Sequence, residues 1–311
     1  ATLKKKGVSF IFISHFLEDV LQISDRAIAL KDAKNNGEFL TKEVTKEDLI
    51  IAMMGKNAVQ KERIKQENKK NATPVLELRS LCSAGKFQNI NLTAHSGMIL
   101  GVCGLLGAGK SEIARAIYGL DTFDSGEIIY KGEKIVKPKP VEMMKRHVAI
   151  VTEDRKIEGF APLMSISENI TLSVLPKFST KLGFIKEKER AAESLRIAKE
   201  MTVKMTSDKQ KVESLSGGNQ QKVIIGRCVE SKPDLFILDE PTRGVDVYAK
   251  TEIYNILIDM ANSGVAVLIF SSELEELLAV CTDIIVLRSG EIKGSVSASD
   301  INKAQLLSMI S

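Results

Sequence analysis

The stretch LSGGNQQK occupies residues 215–222 of this chain. The segment GLLGAGKS at 104–111 precedes it by about a hundred residues, and LFILDEPT at 235–242 follows it closely. Any one of these segments could arise by chance, but the three in this order are informative. Together they predict a nucleotide-binding fold built from alternating strands and helices.

Length and composition narrow the class of protein. With 311 residues and 44% hydrophobic content, the chain can form one full core and a second, smaller unit. Its 44 basic and 40 acidic residues are too balanced for a nucleic-acid-binding surface, so no nucleic-acid partner is expected. Four cysteines without C-x-x-C spacing indicate neither a zinc site nor a disulfide framework. The longest apolar runs, such as VAVLIF at 265–270, are far shorter than the roughly 20 residues of a membrane span.

The chain contains an internal repeat. Residues 7–54 align without gaps on residues 264–311 at a constant offset of 257, with about eleven identities. Each copy predicts a buried strand (VSFIFIS at 8–14 in the first, VAVLIFSS in the second), then an amphipathic helix, a second strand and a terminal helix. The repeat therefore indicates a duplicated domain.

The two copies predict the domain organisation. The second copy closes a complete domain at 75–311, whereas residues 1–60 are expected to be the C-terminal remnant of a first domain whose phosphate loop is missing. A lysine-rich stretch at 61–74 is interpreted as a charged linker. Within 75–311, antiparallel strands precede a strand–loop–helix unit, a helix-rich middle at about 164–230 and two further strands. This order predicts a mostly parallel sheet with an antiparallel β subdomain and a helical subdomain.

The segment GLLGAGKS has the context of a phosphate loop, because the strand MILGVC precedes it and the helix SEIARAIYGL follows. Its glycines permit backbone conformations and close approaches that a Cβ would block. Lys110 is predicted to reach the β- and γ-phosphates and Ser111 to ligate Mg²⁺. A glycine-rich turn without a ligand is the alternative. The residues predicted to bind the nucleotide here are Gly104, Leu105, Leu106, Gly107, Ala108, Gly109, Lys110, Ser111 and Glu112.

The segment LFILDEP predicts the acidic partner of that loop. Four apolar residues form a buried strand whose end presents Asp239 beside the phosphate loop. Asp239 is predicted to hold the Mg²⁺ shell, and Glu240 to orient or deprotonate the attacking water. The alternative interpretation is a solvated strand end.

In LSGGNQQK, the residues Ser216, Gly217 and Gly218 are predicted to lie at the start of a helix. Their hydroxyl and N–H groups would face the γ-phosphate of a nucleotide bound to another copy of the fold. An ordinary helix N-cap is also a valid local interpretation, and it does not compete with this function.

At this point the chain resembles the ATP-binding subunits of ABC transporters, and more narrowly the double-domain ATPases of importers for ribose, galactose, xylose and similar monosaccharides. The resemblance covers essentially all 311 residues. LSGGNQQK in place of the general LSGGQ, EDRK at 153–156 and DEPTRGVDV at 239–247 are the family-specific forms. The resemblance implies a P-loop NTPase fold of the ABC type.

The same resemblance implies roles for four further residues. Glu153 takes the place of the loop glutamine that most ABC ATPases use to couple magnesium to the membrane subunits. Asp246 matches the loop that crosses to the opposite site. His15 matches the histidine that contacts the γ-phosphate, but in the site of the missing first domain. Its repeat counterpart, Ser272, departs from the general pattern, which leaves open whether the second site hydrolyses ATP or only binds it.

The resemblance also implies cofactors, partners and location. The expected cofactors are ATP and Mg²⁺. The expected partners are membrane permease subunits, the missing N-terminal ATPase domain or a second copy of the chain, and, indirectly, a periplasmic or lipoprotein sugar-binding protein. The expected location is the cytoplasmic face of the cell membrane, as a peripheral subunit. Phe87 is the one nearby candidate for stacking on adenine, and a core position is an equal alternative for it.

Two other functions remain open on the residues alone. One is a soluble tandem ABC ATPase acting on ribosomes or DNA, which would favour a long charged helical linker or a coiled-coil insertion. The other is a regulatory half that binds nucleotide but whose catalysis has decayed. The transported sugar cannot be inferred, since specificity lies in other subunits.

Overall fold

The computed structural model describes residues 6–14, 17–31, 34–54 and 72–310. The predicted site residue His15 and most of the predicted linker at 61–74 lie outside the described residues. Two compact units are present: residues 1–62 with 246–251, and residues 63–245 with 252–311. Within the described ranges, none of the helices combines the length and apolar character needed to span a bilayer.

The first unit is small. Its elements are α1 (Leu17–Ile23), β1 (Arg26–Lys31), β2 (Lys34–Leu40) and α2 (Lys46–Met54). Strands β1 and β2 form an antiparallel hairpin, and Leu17, Ala27 and Leu49 are the buried centre of its core. These elements confirm the helix, second strand and terminal helix predicted for the first repeat copy.

The predicted buried strand at 8–14 is wrong. These residues form no strand, and Ile11 and Ile13 are 95% and 91% exposed. The physical reason is that a strand of a parallel sheet needs neighbours for its hydrogen bonds and for both of its faces. None of the described strands pairs with 8–14, although its repeat counterpart, residues 265–271, contributes a central strand to the second unit.

From residue 72 onward the chain forms eighteen further helices and strands. In chain order they are β3 (Pro74–Ser83), β4 (Phe87–His95), β5 (Ile99–Cys103), α3 (Lys110–Tyr118), β6 (Ser125–Tyr130), β7 (Glu133–Ile135), α4 (Pro140–Lys145), β8 (Val148–Val151), α5 (Ile166–Thr171), α6 (Glu187–Glu200), α7 (Gly217–Glu230), β9 (Leu235–Asp239), α8 (Val247–Asn262), β10 (Ala266–Ser271), α9 (Leu274–Val280), β11 (Asp283–Arg288), β12 (Glu291–Ser297) and α10 (Lys303–Ile310). A π-helical turn at Arg155–Gly159 and 3-10 turns at Leu172–Phe178 and Val212–Ser214 complete the set.

The main sheet has the strand order β12-β11-β5-β10-β9-β8. All neighbours pair in parallel except β12, which is antiparallel to β11. Every residue of β5, β9 and β10 is buried, as expected for apolar strands covered on both faces. Because the carboxyl ends of parallel strands meet at one edge, the loops after β5, β8, β9 and β10 lie together there.

Two smaller parts flank this sheet. Strands β3, β4, β6 and β7 form an antiparallel sheet in the order β4-β3-β6-β7. Helices α5, α6 and α7 pack together between β8 and β9 in the sequence, within the predicted helix-rich middle. The architecture therefore confirms the predicted fold class: a mostly parallel core, an antiparallel β subdomain and a helical subdomain.

Candidate functional site

The loop between β5 and α3 is shaped by its glycines. Gly107 and Gly109 have φ values of 78° and 98°, in the left-handed region that costs little only for glycine. At Gly104 a Cβ would lie 2.6 Å from the carbonyl oxygen of Leu287. The loop thus ends on the N-terminus of α3, where unpaired backbone N–H groups attract anions.

Lys110 is buried beneath this loop. Its ammonium group donates hydrogen bonds to the carbonyl oxygens of Gly104 (2.9 Å) and Leu105 (3.2 Å). It also lies 3.7 Å from the carboxylate of Glu240. The lysine at the start of α3 and the acid after β9 therefore meet at the same sheet edge, although the sequence predicted this proximity for Asp239 rather than for Glu240. Leu105 and Leu106 are exposed, whereas Ala108 is buried.

Asp239 ends β9 with a buried carboxylate. Burial raises its pKa to about 6, the adjacent Ser111 hydroxyl lowers it, and neighbouring Glu240 raises it further. Its Oδ1 atom has no hydrogen-bond partner in the structure. A hydroxyl beside an unsatisfied buried carboxylate oxygen suits Mg²⁺, which needs few protein ligands and takes the rest from phosphates and water. Among the described residues no group of three or more acidic, histidine or cysteine side chains forms an alternative metal site.

Glu240 has an unusual backbone and a fixed side chain. Its φ of 47° lies in the left-handed region, and its N–H donates to the carbonyl oxygen of Phe270 (2.8 Å). The backbone N–H of Ser272 donates to its carboxylate at 2.8 Å, and the Ser271 hydroxyl lies 3.4 Å from the other oxygen. Sequence reasoning identified Ser272 only as a departure from the family pattern. The structure shows that its backbone, not its side chain, contacts Glu240.

Glu153 follows β8 and contacts the same edge. One of its oxygens accepts from the Ser111 hydroxyl at 3.4 Å, and the other pairs with Arg243. Arg243 lies three residues after Glu240 and was not predicted as a site residue. Neither was Arg155, whose guanidinium donates to the carbonyl oxygens of Arg243 (2.6 Å) and Gly244 (3.4 Å). Both arginines belong to the family-specific segments EDRK and DEPTRGVDV, and this position could have identified them as site residues from the sequence.

The LSGG segment is at the start of α7, as predicted. Ser216 is the N-cap residue, but its side chain makes no capping hydrogen bond. Its hydroxyl instead accepts from the side-chain amide of Asn219 at 2.9 Å. Gly218 is buried, and a Cβ on Gly217 would lie 2.7 Å from a terminal nitrogen of Arg155. Within the described part of the chain, no hydrogen bond or ion pair joins these three residues to Lys110, Asp239 or Glu240.

Three remaining predicted residues have different outcomes. Asp246 immediately precedes α8, and its carboxylate accepts from the backbone N–H of Ala249 at 3.0 Å. Glu112 is half-buried in the first turn of α3, close enough to Asp239 to raise the pKa of that acid. Phe87 is only 3% exposed and belongs to the hydrophobic core, so the core interpretation holds in this structure.

A cavity of about 330 Å³ lies beside the loop that carries Glu153. It is bordered by β8, by the end of α3, by α7 and by the π-helical turn, and Arg227 of α7 donates to the Gly159 carbonyl oxygen at 2.6 Å across it. Its lining includes Tyr118, Leu120, Met144, Ile150, Glu158 and Cys228. The cavity thus lies between the helical subdomain and β8, the edge strand of the main sheet.

Comparison with solved structures agrees with this fold. A nucleotide-free ATP-binding cassette of an ABC transporter matches with a TM-score of 0.63 at 19% identity, over 76% of this chain and 95% of its own. A dimeric bacterial ABC transporter cassette matches with a TM-score of 0.63 at 23% identity, over 72% of this chain and 98% of its own. At these identities the likeness concerns the fold alone.

Curated relatives are more similar in sequence. The ribose import ATP-binding proteins of Bacillus licheniformis and Bacillus subtilis are each 38% identical to this chain over 307 residues, which is 99% of it. A putative ribose/galactose/methyl galactoside import ATP-binding protein of Hahella chejuensis is 36% identical over 308 residues. The chain spans only about 62% of the length of the two Bacillus proteins and 59% of the third.

A family model described as "ABC transporter" matches residues 87–243, which include the phosphate loop, the LSGG segment and the Asp239–Glu240 pair. This match covers half of the chain and agrees with the strand order and the loop geometry. The chain belongs to the ABC transporter family.

Proposed function

We propose that this chain carries an ATP-binding and ATP-hydrolysing cassette that powers import of a monosaccharide by an ABC transporter. The observation that carries the proposal is the meeting of Lys110, Ser111, Asp239 and Glu240 at one edge of the parallel sheet. The curated relatives, which are named as import proteins for ribose or related sugars, support the substrate class. They do not favour the alternative of a tandem ATPase that acts on ribosomes or DNA.

The chain's own residues have separate roles in this proposal. The loop N–H groups and Lys110 would bind the phosphates, while Ser111 and Asp239 would hold Mg²⁺, which neutralises phosphate charge during transfer. Glu240 would orient the attacking water, since the Ser272 N–H fixes its carboxylate near Lys110. Phosphoryl transfer depends mainly on such positioning and charge stabilisation.

The LSGG segment supports a site shared between two cassettes. Because Ser216, Gly217 and Gly218 do not contact the chain's own phosphate loop within the described residues, they would cap a nucleotide held by another cassette. That cassette is either an upstream domain or a second copy of this chain. Asp246 would cross to the opposite site, and His15 would contact the nucleotide of the upstream cassette.

The cavity beside Glu153 supports docking on membrane permease subunits. It is partly apolar, with Leu120 and Met144 part-exposed at its rim and Ile157 strongly exposed on the adjacent π-helical turn. A short permease helix seated there would touch the loop that carries Glu153 and so connect membrane movement to the magnesium site. The protein would then lie peripherally at the cytoplasmic face of the membrane, with a sugar-binding protein acting on the other side.

The direct test is nucleotide binding. Titration of a fluorescent ATP analogue with Mg²⁺ should show binding by the wild type and at least about tenfold weaker binding by Lys110→Ala, because charge-assisted hydrogen bonds to phosphate are lost. Lys131→Ala is the matched control, since Lys131 is an exposed lysine paired with Asp234 away from the loop. Equal affinity of wild type and Lys110→Ala would reject the site assignment.

A further inference from the structure

Glu153 adds a negative charge next to the predicted magnesium site, and this charge needs a cation to balance it. Asp239 lies beside Ser111, Glu240 follows it in the chain, and Lys110 lies 3.7 Å from the Glu240 carboxylate. Glu153 brings a third carboxylate, 3.4 Å from the Ser111 hydroxyl. A nucleotide triphosphate is itself strongly anionic, so an unbalanced third acid at this position would repel it.

Arg243 supplies the balancing charge. Its guanidinium pairs with the Glu153 oxygen that does not face Ser111. The Arg243 side chain is 63% exposed, and an ion pair at such a site contributes little to folding stability. The same ion pair can still affect nucleotide affinity, because it determines the local charge next to the phosphates.

Arg155 holds the loop from which Arg243 projects. It reaches across from the π-helical turn and donates to the carbonyl oxygens of both Arg243 and Gly244. Its guanidinium also lies against Gly217, where a Cβ would come within 2.7 Å of it. Burial of Arg155 lowers its pKa, and its Nε has no hydrogen-bond partner. One arginine therefore contacts both the loop after Glu240 and the first residue of α7.

We propose that Arg243 and Arg155 are positioning residues of the nucleotide site: Arg243 neutralises Glu153 beside Ser111, and Arg155 fixes the loop of Arg243 against the LSGG segment. The inference rests on the proposed function, because it concerns binding of the same nucleotide. It also gives a reason why EDRK at 153–156 and TRG at 242–244 occur together in this chain. Glu153 and the Arg243 that neutralises it come from different segments, and Arg155 connects the two segments.

The charge balance is tested with a cycle of neutral substitutions in the full chain. Affinity for a fluorescent ATP analogue is measured at saturating Mg²⁺ for wild type, Glu153→Gln, Arg243→Gln and the double variant. Arg243→Gln should weaken binding about three- to tenfold, and the loss should shrink at high salt because it is electrostatic. The double variant should return to within about twofold of wild type. Arg146→Gln, which removes a part-exposed arginine paired with Glu133, should leave the affinity unchanged.

The role of Arg155 is tested by measuring the effect of Arg243→Gln on nucleotide affinity again, in a protein that also carries Arg155→Lys. If Arg155 holds the loop, Arg243→Gln should cost less than about twofold in an Arg155→Lys protein, since Arg155 reaches the two carbonyls with two terminal nitrogens of a planar fork that lysine lacks. Thermal unfolding checks that each variant is folded.

The outcomes separate the two proposals. A double variant as weak as Arg243→Gln, or an equal cost of Arg243→Gln in both backgrounds, would overturn this inference while leaving the nucleotide site intact. No nucleotide binding by the wild type would overturn the proposed function and this inference with it.

Discussion

Glu240 combines a disfavoured backbone with fixed contacts. A non-glycine residue at φ 47° is strained by about 1–2 kcal/mol. The hydrogen bond from its N–H to Phe270 and the one from the Ser272 N–H to its carboxylate hold it there. These contacts at the end of a buried strand keep the carboxylate 3.7 Å from Lys110. The acid next to it, Asp239, has an adjacent Ser111 hydroxyl but an Oδ1 atom without a hydrogen-bond partner.

This difference predicts separate effects for the two acids. Glu240→Gln should retain binding of Mg-ATP and slow hydrolysis by about a hundredfold or more, because the amide cannot accept a proton from water. Asp239→Asn should instead weaken binding only when Mg²⁺ is present. Single-turnover hydrolysis and titrations with and without EDTA measure the two effects. Unimpaired hydrolysis by Glu240→Gln would mean that another base acts or that this site is normally silent.

Among the elements, the helical subdomain is tied together by charge as well as by apolar packing. Glu230 at the end of α7 is almost fully buried and pairs with Lys177 (2.7 Å) and Arg196 of α6 (3.2 Å). Arg196 also donates to Glu193, and this hydrogen bond, with further contributions from Glu230 and Lys177, lowers the pKa of Glu193 from 4.5 to about 2. The cluster therefore joins α6, α7 and the 3-10 turn before them.

The depressed pKa predicts how this cluster responds to acid. A carboxylate with a lowered folded-state pKa contributes stability above its ordinary pKa of 4.5, and the contribution is lost as the pH falls towards 2. At pH 7, Glu193→Gln should thus have a free energy of unfolding about 0.5–1 kcal/mol below that of wild type, and it should unfold at a lower temperature. This difference in stability should narrow by pH 3. Glu189→Gln on the same helix, where both partners are exposed, is the control. A stability difference between wild type and Glu193→Gln that does not change with pH would contradict the lowered pKa of Glu193.

At the scale of the whole molecule, the chain holds one phosphate loop and one LSGG segment that do not contact each other within the described residues. Two copies could pair head to tail, so that each loop meets the other copy's LSGG segment. If each nucleotide is shared between two cassettes, as proposed, a single copy could close no site and activity would depend on association.

Specific ATPase activity should therefore be very low in dilute solution and rise with protein concentration if the chain pairs with itself. Substituting Ser216 or Gly217 should abolish the rise, since both would face the partner's nucleotide. Activity and molecular mass measured over the same concentration range provide the test. Robust turnover that is independent of concentration and insensitive to these substitutions would mean that the shared-site model is wrong for this chain.

The sequence by itself was sufficient for the fold class and for the local chemistry of the phosphate loop. The glycines at 107 and 109, the strand before them and the helix after them are neighbours along the chain, so their geometry follows from local backbone rules. The order of motifs likewise predicted that the end of β9, with Asp239, lies beside the phosphate loop, because parallel strands share one edge.

Only the tertiary structure decided which distant side chains complete the site. Arg243 and Glu153 are 90 residues apart, and Arg155 and Gly244 are 89 apart, so no local pattern brings them together. The same limit explains the wrong prediction for 8–14. Its apolar sequence matches that of β10, but a strand of a parallel sheet exists only where neighbouring strands accept its hydrogen bonds and cover its faces. The local conformation of a loop is set by its own residues, whereas strand formation and long-range ion pairs depend on what the rest of the chain places beside them.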